Sequence, residues 1–339
     1  MICLGIESTA HTFGVGIVDG EKILANAKDM FVPPQGGINP LDAKEHHDRV
    51  KERVLEEALS AAKLSLGDID LFSYAAGPGL PPCLKVGAEF AFQISQSKPI
   101  MAVNHGVAHI EIGKLLCKCN DPIVVYVSGG NTQIIGYASG RYRVFGETMD
   151  IPIGNAIDVF IRETYGKDKT AESFGGPVMD RLAEGGHYTE LPYVVKGMDL
   201  SFSGIMTAAM QKYNKMAKGK SEAEKEQILR DLCFSFEETC FAMLTEVTER
   251  ALAHTGKSEV LLVGGVAASQ RFREMMKIMC SGRDAQSYVV PREYSGDQGV
   301  MIAWTGLLAH KNGQKQTEKA DFNPLWRVDQ AEVPWMCNQ

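Results

Sequence analysis

A strand pattern that occurs twice constrains the fold of this chain most. Near the N-terminus, apolar stretches are separated by the polar turn of residues 7–11 and by the hairpin Asp19-Gly20. The same order returns later, with a polar turn at residues 128–132 and the hairpin Ser139-Gly140. The predicted strands are residues 2–6, 13–18 and 22–27 in the first copy, and 123–127, 133–137 and 142–147 in the second. Because predicted helices follow each copy, among them 42–62, 85–97 and 105–117, the sequence indicates a duplicated α/β domain.

This duplicated pattern resembles the actin-like architecture of sugar kinases and Hsp70 proteins, in which two lobes enclose a nucleotide. We therefore expect an N-terminal actin-like lobe over residues 1–118 and a C-terminal actin-like lobe over 119–330. A mainly helical insertion is predicted at about residues 151–256 of the second lobe. Residues 331–339 are expected to form a C-terminal tail.

The charge of the chain limits how it can bind its partners. Its 339 residues carry a formal net charge of −7, so no overall basic field attracts nucleic acid. A local patch or a partner subunit would have to supply positive surface for an RNA substrate. The eight cysteines form no CxxC pair, which argues against a zinc ribbon or a disulfide framework. With no leader peptide and no long apolar run in the sequence, we expect a cytoplasmic protein without membrane association.

Two histidines, His105 and His109, form the sharpest local motif. Residues four apart on a helix share a face, so both imidazoles can reach one ion such as zinc or iron. The alternative is two polar residues at a helix start, and the short pattern alone divides evenly between these interpretations. The pair follows a predicted strand at residues 100–103, and ligands bind at the carboxyl ends of strands in α/β sheets. This position favours the metal site.

A third ligand would come from elsewhere in the chain. Asp297 lies in a glycine-flanked loop before the apolar stretch 300–308. A carboxylate suits a metal, but an Asp before a helix is also a common N-cap, and spacing alone favours the cap.

Glycine-rich and polar segments predict a nucleotide site. The turn at residues 128–132 is either a type I′ turn or a ligand-binding loop, and we favour ligand contact. The glycines in the segment 264–268 allow either a base to enter or close strand–helix packing, and neither interpretation prevails. Asn155 and Asp158 could contact a ribose or cap a helix.

Several of these segments, in this order, resemble the universal tRNA threonylcarbamoyladenosine synthase family, once called O-sialoglycoprotein endopeptidases. The resemblance runs from the segment 5–10, Gly-Ile-Glu-Ser-Thr-Ala, to the segment 326–335 with its two tryptophans. The latter segment and residues 104–111 are most similar to the archaeal and eukaryotic cytosolic branch, which works in the KEOPS complex. The resemblance implies a tRNA N6-adenosine threonylcarbamoyltransferase, an acyltransferase that moves threonylcarbamoyl from threonylcarbamoyl-AMP to the adenine next to the anticodon and releases AMP.

The resemblance also implies site residues, cofactors and partners. It implies one divalent metal, Fe²⁺ or Zn²⁺, on His105, His109, Tyr126 and Asp297. It implies threonylcarbamoyl-AMP, or ATP or AMP, on a set of nucleotide-contacting residues: Tyr126, Val127, Ser128, Gly129, Gly130, Asp158, Gly176, Asp180 and Ser269. The chain departs from the family pattern at three positions: Ser269 stands for Asn, Gln298 for Asn and Asp180 for Glu. No residue is identified as a catalytic acid or base. The implied partners are tRNA and the KEOPS kinase and small dimerising subunits.

Three alternative functions compete with the interpretation as a threonylcarbamoyltransferase. A zinc metalloprotease would need His-Glu-x-x-His, but Gly106 occupies the position of the general base. An actin-fold ATPase or sugar kinase would share the fold, yet such enzymes use carboxylates and Mg²⁺ without a helical histidine pair. A scaffold that binds nucleotide without catalysis is the third.

Overall fold

A computed structural model describes residues 1–32, 38–166 and 175–336, which divide into two compact units. The first unit comprises residues 1–118, 137–143 and 296–339, and the second comprises 119–136 and 144–295. The division after residue 118 coincides with the predicted lobe boundary. The C-terminal part differs from the expectation of a second lobe reaching residue 330, because residues 296–339 pack with the first unit.

The strands and helices of the described residues are numbered in chain order. The strands are β1 (Ile2–Glu7), β2 (Thr12–Asp19), β3 (Lys22–Met30), β4 (Leu71–Gly77), β5 (Ile100–Asn104), β6 (Ile123–Val127), β7 (Thr132–Ala138), β8 (Arg141–Glu147), β9 (Val195–Lys196), β10 (Asp199–Leu200), β11 (Glu259–Val263) and β12 (Gln286–Val289). The helices are α1 (Pro40–Ala62), α2 (Pro81–Ile94), α3 (His105–Cys117), α4 (Ile153–Thr164), α5 (Gly175–Ala183), α6 (Ser203–Met216), α7 (Glu222–Thr255), α8 (Gln270–Ser281) and α9 (Gly299–Lys311).

The first unit is built on a five-stranded sheet in the order β3-β2-β1-β4-β5. Strands β1, β2 and β3 form the predicted antiparallel meander. Strand β4 pairs parallel with β1, and β5 pairs parallel with β4. On one side, α1 and α2 pack against β2, β3 and β4. Helix α9 packs against β1 and β2 and also contacts α3. The carboxyl end of β5 leads directly into α3, which carries the two histidines.

Glycines bring α9 unusually close to the sheet. A Cβ atom at Gly5 would lie 2.1 Å from the backbone nitrogen of Ala303, and one at Gly16 would lie 2.0 Å from that of Val300. On the helix side, a Cβ at Gly299 would lie 2.1 Å from the backbone nitrogen of Gly16. Backbone therefore packs directly on backbone, and these contacts fix where α9 begins relative to β1 and β2.

The second unit repeats the pattern with a sheet in the order β12-β11-β6-β7-β8. Strand β6 pairs antiparallel with β7 and parallel with β11, as a second copy of the first sheet would require. The helices α4 to α8 belong to this unit, and the 34-residue helix α7 begins at a capping box formed by Ser221 and Glu224. Its hydrophobic core joins β6 and β11 to α4, α5 and α7.

The observed bounds differ from the predicted ones mainly at α2. The helix begins at Pro81, four residues before the predicted start, because proline at the first helical position needs no hydrogen-bond partner for nitrogen. Within the described residues, no helix combines the length and the apolar character required to cross a bilayer.

Candidate metal centre and nucleotide-binding loops

The first turn of α3 presents both histidines on one side of the helix. The side chain of Asn104 caps α3 by accepting a hydrogen bond from the backbone nitrogen of Val107 at 3.0 Å. The rings of His105 and His109 lie with their centroids 4.7 Å apart and their planes nearly perpendicular. Both side chains are buried. The helical spacing therefore places two imidazoles together at the carboxyl end of β5, as the sequence predicted.

The carboxylate of Asp297 joins this pair. Its Oδ1 atom lies 3.2 Å from Nε2 of His109 and 3.5 Å from Nε2 of His105. One ligand atom from each of the three residues lies within 4.8 Å of the others, and these residues form the candidate metal site of the described chain. Helix α9 is capped by Gln298, whose Oε1 atom accepts a hydrogen bond from the backbone nitrogen of Met301 at 3.1 Å. The interpretation of Asp297 as the helix cap is therefore wrong.

Glu7 supports the site from the end of β1. This fully buried carboxylate accepts hydrogen bonds from the backbone nitrogen of Thr9 at 2.7 Å and from the Thr9 hydroxyl at 2.5 Å. Its Oε2 atom lies 2.9 Å from Nδ1 of His105. A proton on Nδ1 fixes the tautomer in which Nε2, the atom that faces Asp297, has a lone pair for a cation. The sequence marked residues 7–11 only as a polar turn, although a carboxylate at a strand end is a signal that could have indicated this role.

The charged groups of the cluster shift one another's pKa. Burial alone would lower the pKa of His105, but the carboxylates of Glu7 and Asp297 outweigh it and raise the pKa to about 9. Burial lowers the pKa of His109. The same burial would raise the pKa of Asp297, yet the neighbouring imidazoles hold it well below its usual range. When no cation is bound, the protonated imidazole of His105 supplies the positive charge between the carboxylates of Glu7 and Asp297.

The donor set suits a borderline divalent metal. Two imidazole nitrogens and one carboxylate oxygen are ligands of zinc and iron sites, and three protein ligands leave positions for a substrate. Tyr126, the fourth predicted ligand, is the last residue but one of the buried strand β6 in the second unit. Its role on the metal stays a prediction.

In the second unit, the polar turn after β6 exposes two glycines. Ser128 organises the turn, since its hydroxyl accepts hydrogen bonds from the backbone nitrogens of Gly130 at 3.3 Å and Asn131 at 3.0 Å. Apart from its chain neighbours, no heavy atom of residues 1–32, 38–166 or 175–336 lies within 4 Å of a Cβ atom built on Gly129 or Gly130. Their backbone therefore faces open space in which a phosphate fits, as the interpretation of ligand contact requires.

The glycine segment after β11 lies beside this turn. Strands β6 and β11 pair in parallel, with Val263 opposite Tyr126, so their carboxyl ends meet at one sheet edge. Gly264 has a φ of +93°, and a Cβ atom there would lie 2.3 Å from the carbonyl oxygen of Val127. Gly265 instead faces open space. The two interpretations of this segment thus apply to different residues: close packing explains Gly264, and Gly265 leaves room for a ligand.

The remaining predicted nucleotide contacts lie on nearby helices of the same unit. Helix α4 has no side-chain cap, so Asp158 does not cap it, and neither does Asn155. Instead, Asp158 accepts a hydrogen bond from the backbone nitrogen of Gly175 at 2.7 Å and thereby joins α4 to α5. At Gly176 a Cβ atom would meet no heavy atom of the described residues within 4 Å. The hydroxyl of Ser269 caps α8 by accepting a hydrogen bond from the backbone nitrogen of Phe272 at 3.4 Å.

Asp180 has a partner that sequence reasoning missed. The carboxyl group of Glu237, on α7, is only 5% exposed and lies beside that of Asp180. Burial, together with the neighbouring carboxyl group of Asp180, raises the pKa of Glu237 to about 9. Glu237 therefore keeps its proton at neutral pH and can donate a hydrogen bond to Asp180.

Solved structures with the same arrangement show the fold. The activator of the 2-hydroxyisocaproyl-CoA dehydratase from Clostridium difficile matches with a TM-score of 0.50 and 12% identity, covering 93% of this chain and 97% of the other. HypF of T. kodakarensis matches with a TM-score of 0.55 and 15% identity, over 90% of this chain and 46% of that protein. These similarities confirm the predicted actin-like fold with two lobes.

Sequence comparisons identify the family. The sequence pattern of the TsaD family, described as tRNA N6-adenosine threonylcarbamoyltransferase, matches residues 22–304. Proteins of that name from Methanopyrus kandleri and Thermococcus kodakarensis are each 49% identical over 99% of this chain, covering 96% and 100% of those proteins. A probable bifunctional tRNA threonylcarbamoyladenosine biosynthesis protein of Methanocaldococcus jannaschii is 48% identical over 99% of this chain, which spans 61% of that protein. By these matches, the chain belongs to the TsaD family of tRNA N6-adenosine threonylcarbamoyltransferases.

Proposed function

We propose that this chain transfers a threonylcarbamoyl group from threonylcarbamoyl-AMP to N6 of the tRNA adenine next to the anticodon. The observation that carries the proposal is the cluster of the buried His105 and His109 with the half-buried Asp297 in a chain of this family. The sugar-kinase and metalloprotease alternatives explain this cluster less well, because the former uses Mg²⁺ on carboxylates and the latter needs a general base that Gly106 cannot provide.

One divalent metal, Fe²⁺ or Zn²⁺, belongs to this site. His105, His109 and Asp297 hold it, with Tyr126 as the proposed fourth ligand. When bound, such an ion supplies a Lewis acid for a substrate oxygen. Glu7 keeps His105 in the tautomer that can bind the ion. Because both imidazoles are buried, few water molecules can compete with them for the ion.

The adenylate binds to the loops of the second unit. The open backbone at Gly129 and Gly130 offers N–H groups to its phosphate, with Val127 and Ser128 in the same turn. Asp158, Gly176 and Asp180 surround the ribose. The protonated carboxyl group of Glu237 donates a hydrogen bond to Asp180. Gly265 leaves room for the base, and Ser269 retains the helix cap that orders the start of α8 beside it.

The reaction is an acyl transfer that balances without a redox step. The N6 amine of the adenine attacks the carbamoyl carbon, and the bond from that carbon to the phosphate oxygen breaks. AMP leaves with the electron pair, and the nitrogen loses one proton. The target base lies in a single-stranded loop, where it can leave the stack. The chain's own contribution is to hold the two reactants in line, since orientation alone can lower such a barrier substantially.

The proposal extends to partners and compartment. We assign tRNA as the macromolecular substrate, a KEOPS-type kinase subunit and a small dimerising subunit as partners, and the cytoplasm as the compartment. The relative named as bifunctional supports a partner with a second activity. This chain spans only 61% of that relative's length, so the relative carries a further segment that this chain lacks.

A reconstitution with matched variants tests the proposal. The full chain is combined with KEOPS-type partners, threonylcarbamoyl-AMP and unmodified tRNA, and the tRNA is then digested and its nucleosides are analysed by mass spectrometry. Metal content is measured by elemental analysis on the same preparations. His109→Ala is expected to lose both the ion and the transfer, because it removes a buried ligand. His187→Ala serves as control, since that side chain is 85% exposed and lies outside the site.

Two results would contradict the proposal. Full transfer by His109→Ala would exclude the metal role of this cluster. Wild-type protein that binds metal and nucleotide but forms no threonylcarbamoyladenosine would exclude the transfer itself.

A further inference from the structure

The tRNA substrate raises a problem of charge. The chain is acidic, with a net charge of −7, whereas a tRNA presents a phosphate at every nucleotide. Affinity for such a polyanion comes mostly from lysine and arginine contacts to phosphates. Any positive surface that this chain itself supplies must therefore be local, and it must come from cations that no neighbouring carboxylate neutralises.

Most helical cations on the surface are paired. Examples are Lys44 with Asp48 and Arg53 with Glu57 on α1, and Arg230 with Glu226 and Arg250 with Glu246 on α7. Such i,i+4 pairs give a helix face with little net charge. These faces attract phosphates weakly.

Helix α6 and the turn after it differ from this pattern. Residues 203–220 contain four lysines, at positions 212, 215, 218 and 220, and no aspartate or glutamate. Lys212 donates a hydrogen bond to the carbonyl oxygen of Glu190 at 2.5 Å, and Lys220 forms an ion pair with Glu224 at 2.9 Å. Lys215 and Lys218 are exposed, and in the described parts of the chain no carboxylate lies within 4.0 Å of either ammonium group. These two cations keep their full charge toward solvent.

A cavity with polar side chains in a largely apolar lining opens on the helix that carries Lys215. It has a volume of about 330 Å³, at the small end of the range for pockets that hold small ligands. The end of α4 and one face of α6 line it, through Glu163, Thr164, Thr207, Met210, Gln211 and Asn214. Gln211 and Lys215 are four residues apart and thus on the same face of α6, and Asn214 is the neighbour of Lys215.

The amide and hydroxyl groups of the lining suit the edge of a nucleobase, and the carboxylate of Glu163 adds an acceptor for a base amino group. Amide and hydroxyl groups both donate and accept hydrogen bonds, as the Watson–Crick edges of unstacked bases require. The Met210 side chain adds an apolar, polarisable surface. A cavity with two amides next to two uncompensated ammonium groups therefore combines the two elements of single-stranded RNA recognition, which are base contact and phosphate contact.

We propose that this surface, formed by Lys215, Lys218 and the cavity between α4 and α6, binds the tRNA substrate, with an unstacked nucleotide in the cavity and adjacent phosphates on the lysines. The inference rests on the proposed transfer to tRNA and adds the surface by which the substrate is held. An acidic protein partner could also be attracted by the lysines, but it would have no use for the amide-lined cavity.

Neutralising the lysines tests the phosphate contacts. The affinity of the full chain for an unmodified tRNA transcript is measured by filter binding between 50 and 300 mM salt. At 0.15 M salt, the loss of two phosphate contacts lowers affinity roughly 15- to 30-fold, because each contact contributes about 0.7–0.9 to the slope of log affinity against log salt. Lys215→Gln combined with Lys218→Gln should therefore bind more weakly and with a slope smaller by about 1.4–1.8. Lys277→Gln, an exposed lysine of α8 in the same unit, is the matched control and should bind like the wild type.

Replacing the amides tests the cavity separately. Gln211→Ala combined with Asn214→Ala should weaken tRNA binding while leaving the salt slope unchanged, because no charge is removed. AMP binding and metal content, measured on the same proteins, should stay at wild-type values in both double variants, which shows that they are folded.

The outcomes separate this inference from the proposed function. If the wild type binds tRNA and the double-lysine variant binds it with equal affinity and slope, the surface is not the tRNA site, and an acidic protein is the better occupant. If the wild type, with its partners, neither binds tRNA nor modifies it, the proposed function and this inference both fail. Weaker binding with a reduced slope, found only in the double-lysine variant and not in Lys277→Gln, supports the proposal.

Discussion

The carboxyl pair of Glu237 and Asp180 makes the stability of this protein depend on pH in a defined way. The pKa of Glu237 is raised from its ordinary value of 4.5 to about 9, first by burial and then by the hydrogen bond and charge of Asp180. Between these values the folded protein holds a proton that the unfolded chain has released. Stability therefore falls as the pH rises from about 4.5 to about 9, and Glu237→Gln, which stays neutral, lacks this dependence.

The size of the effect follows from the single proton. One proton bound by only the folded state changes the free energy of unfolding by about 1.4 kcal/mol per pH unit. Between pH 6 and pH 8, both inside the window, the wild type should lose about 3 kcal/mol relative to Glu237→Gln. The comparison of two nearly identical proteins cancels the contributions of all other groups. The amide of the variant can still donate to Asp180, so the packing around it is retained.

Urea unfolding at pH 6, 7 and 8 measures this difference. Far-UV circular dichroism should follow the transition, because all three tryptophans, at positions 304, 326 and 335, lie in the first unit and fluorescence would miss the second. Glu184→Gln is the control, since this side chain of the same unit is exposed and its carboxylate meets water in folded and unfolded chains alike. A stability difference between Glu237→Gln and the wild type that stays constant from pH 6 to 8 would show that the buried Glu237 does not hold a proton in this range.

Three further predictions concern the site and the packing that positions it. Glu7→Gln should weaken metal binding by about 10- to 100-fold, measured by competition with a chelator, because the amide no longer fixes the tautomer of His105; unchanged affinity would show that Glu7 has only a structural role. Gly130→Ala should fold normally but bind AMP more weakly in calorimetry, since its Cβ atom enters open space, whereas Gly204→Ala, also free of close neighbours, should bind AMP as the wild type does. Gly16→Ala should cost about 1–3 kcal/mol of stability and also lower metal affinity, because α9 must move away from the sheet; a stable variant with normal metal content would contradict this account.

Local patterns predicted much of the fold and two of the three residues of the metal cluster. The alternation of strands and polar turns predicted the three-stranded meander of each sheet, because strand periodicity is visible within a few residues, whereas strand β12 was not predicted. The pair of His105 and His109 was predictable for the same reason, since the helical repeat fixes its geometry. Asp297 is 188 residues from His109 in sequence, so spacing alone could not connect them, and only the family resemblance did.

Other features depend on contacts that no local pattern encodes. The cap of α9 is Gln298 and not its neighbour Asp297, a difference of one residue that is decided by the contact with the imidazoles. The tip of the β7–β8 hairpin belongs to the first unit, where the hydroxyl of Tyr142 donates to the buried carboxylate of Glu111 at 2.6 Å. Both partners look like ordinary surface residues in the sequence. The proton of Glu237 likewise follows from burial, which the sequence of an amphipathic helix does not report.

The glycines between α9 and the sheet have a consequence for how metal binding can be lost. Since main chain touches main chain at Gly5, Gly16 and Gly299, no rotamer can adjust to absorb an added methyl group. Any displacement of α9 therefore also moves Asp297, which lies only two residues before the helix begins. Inactivating substitutions should therefore cluster at small residues that never touch the ion, as well as at the ligands themselves.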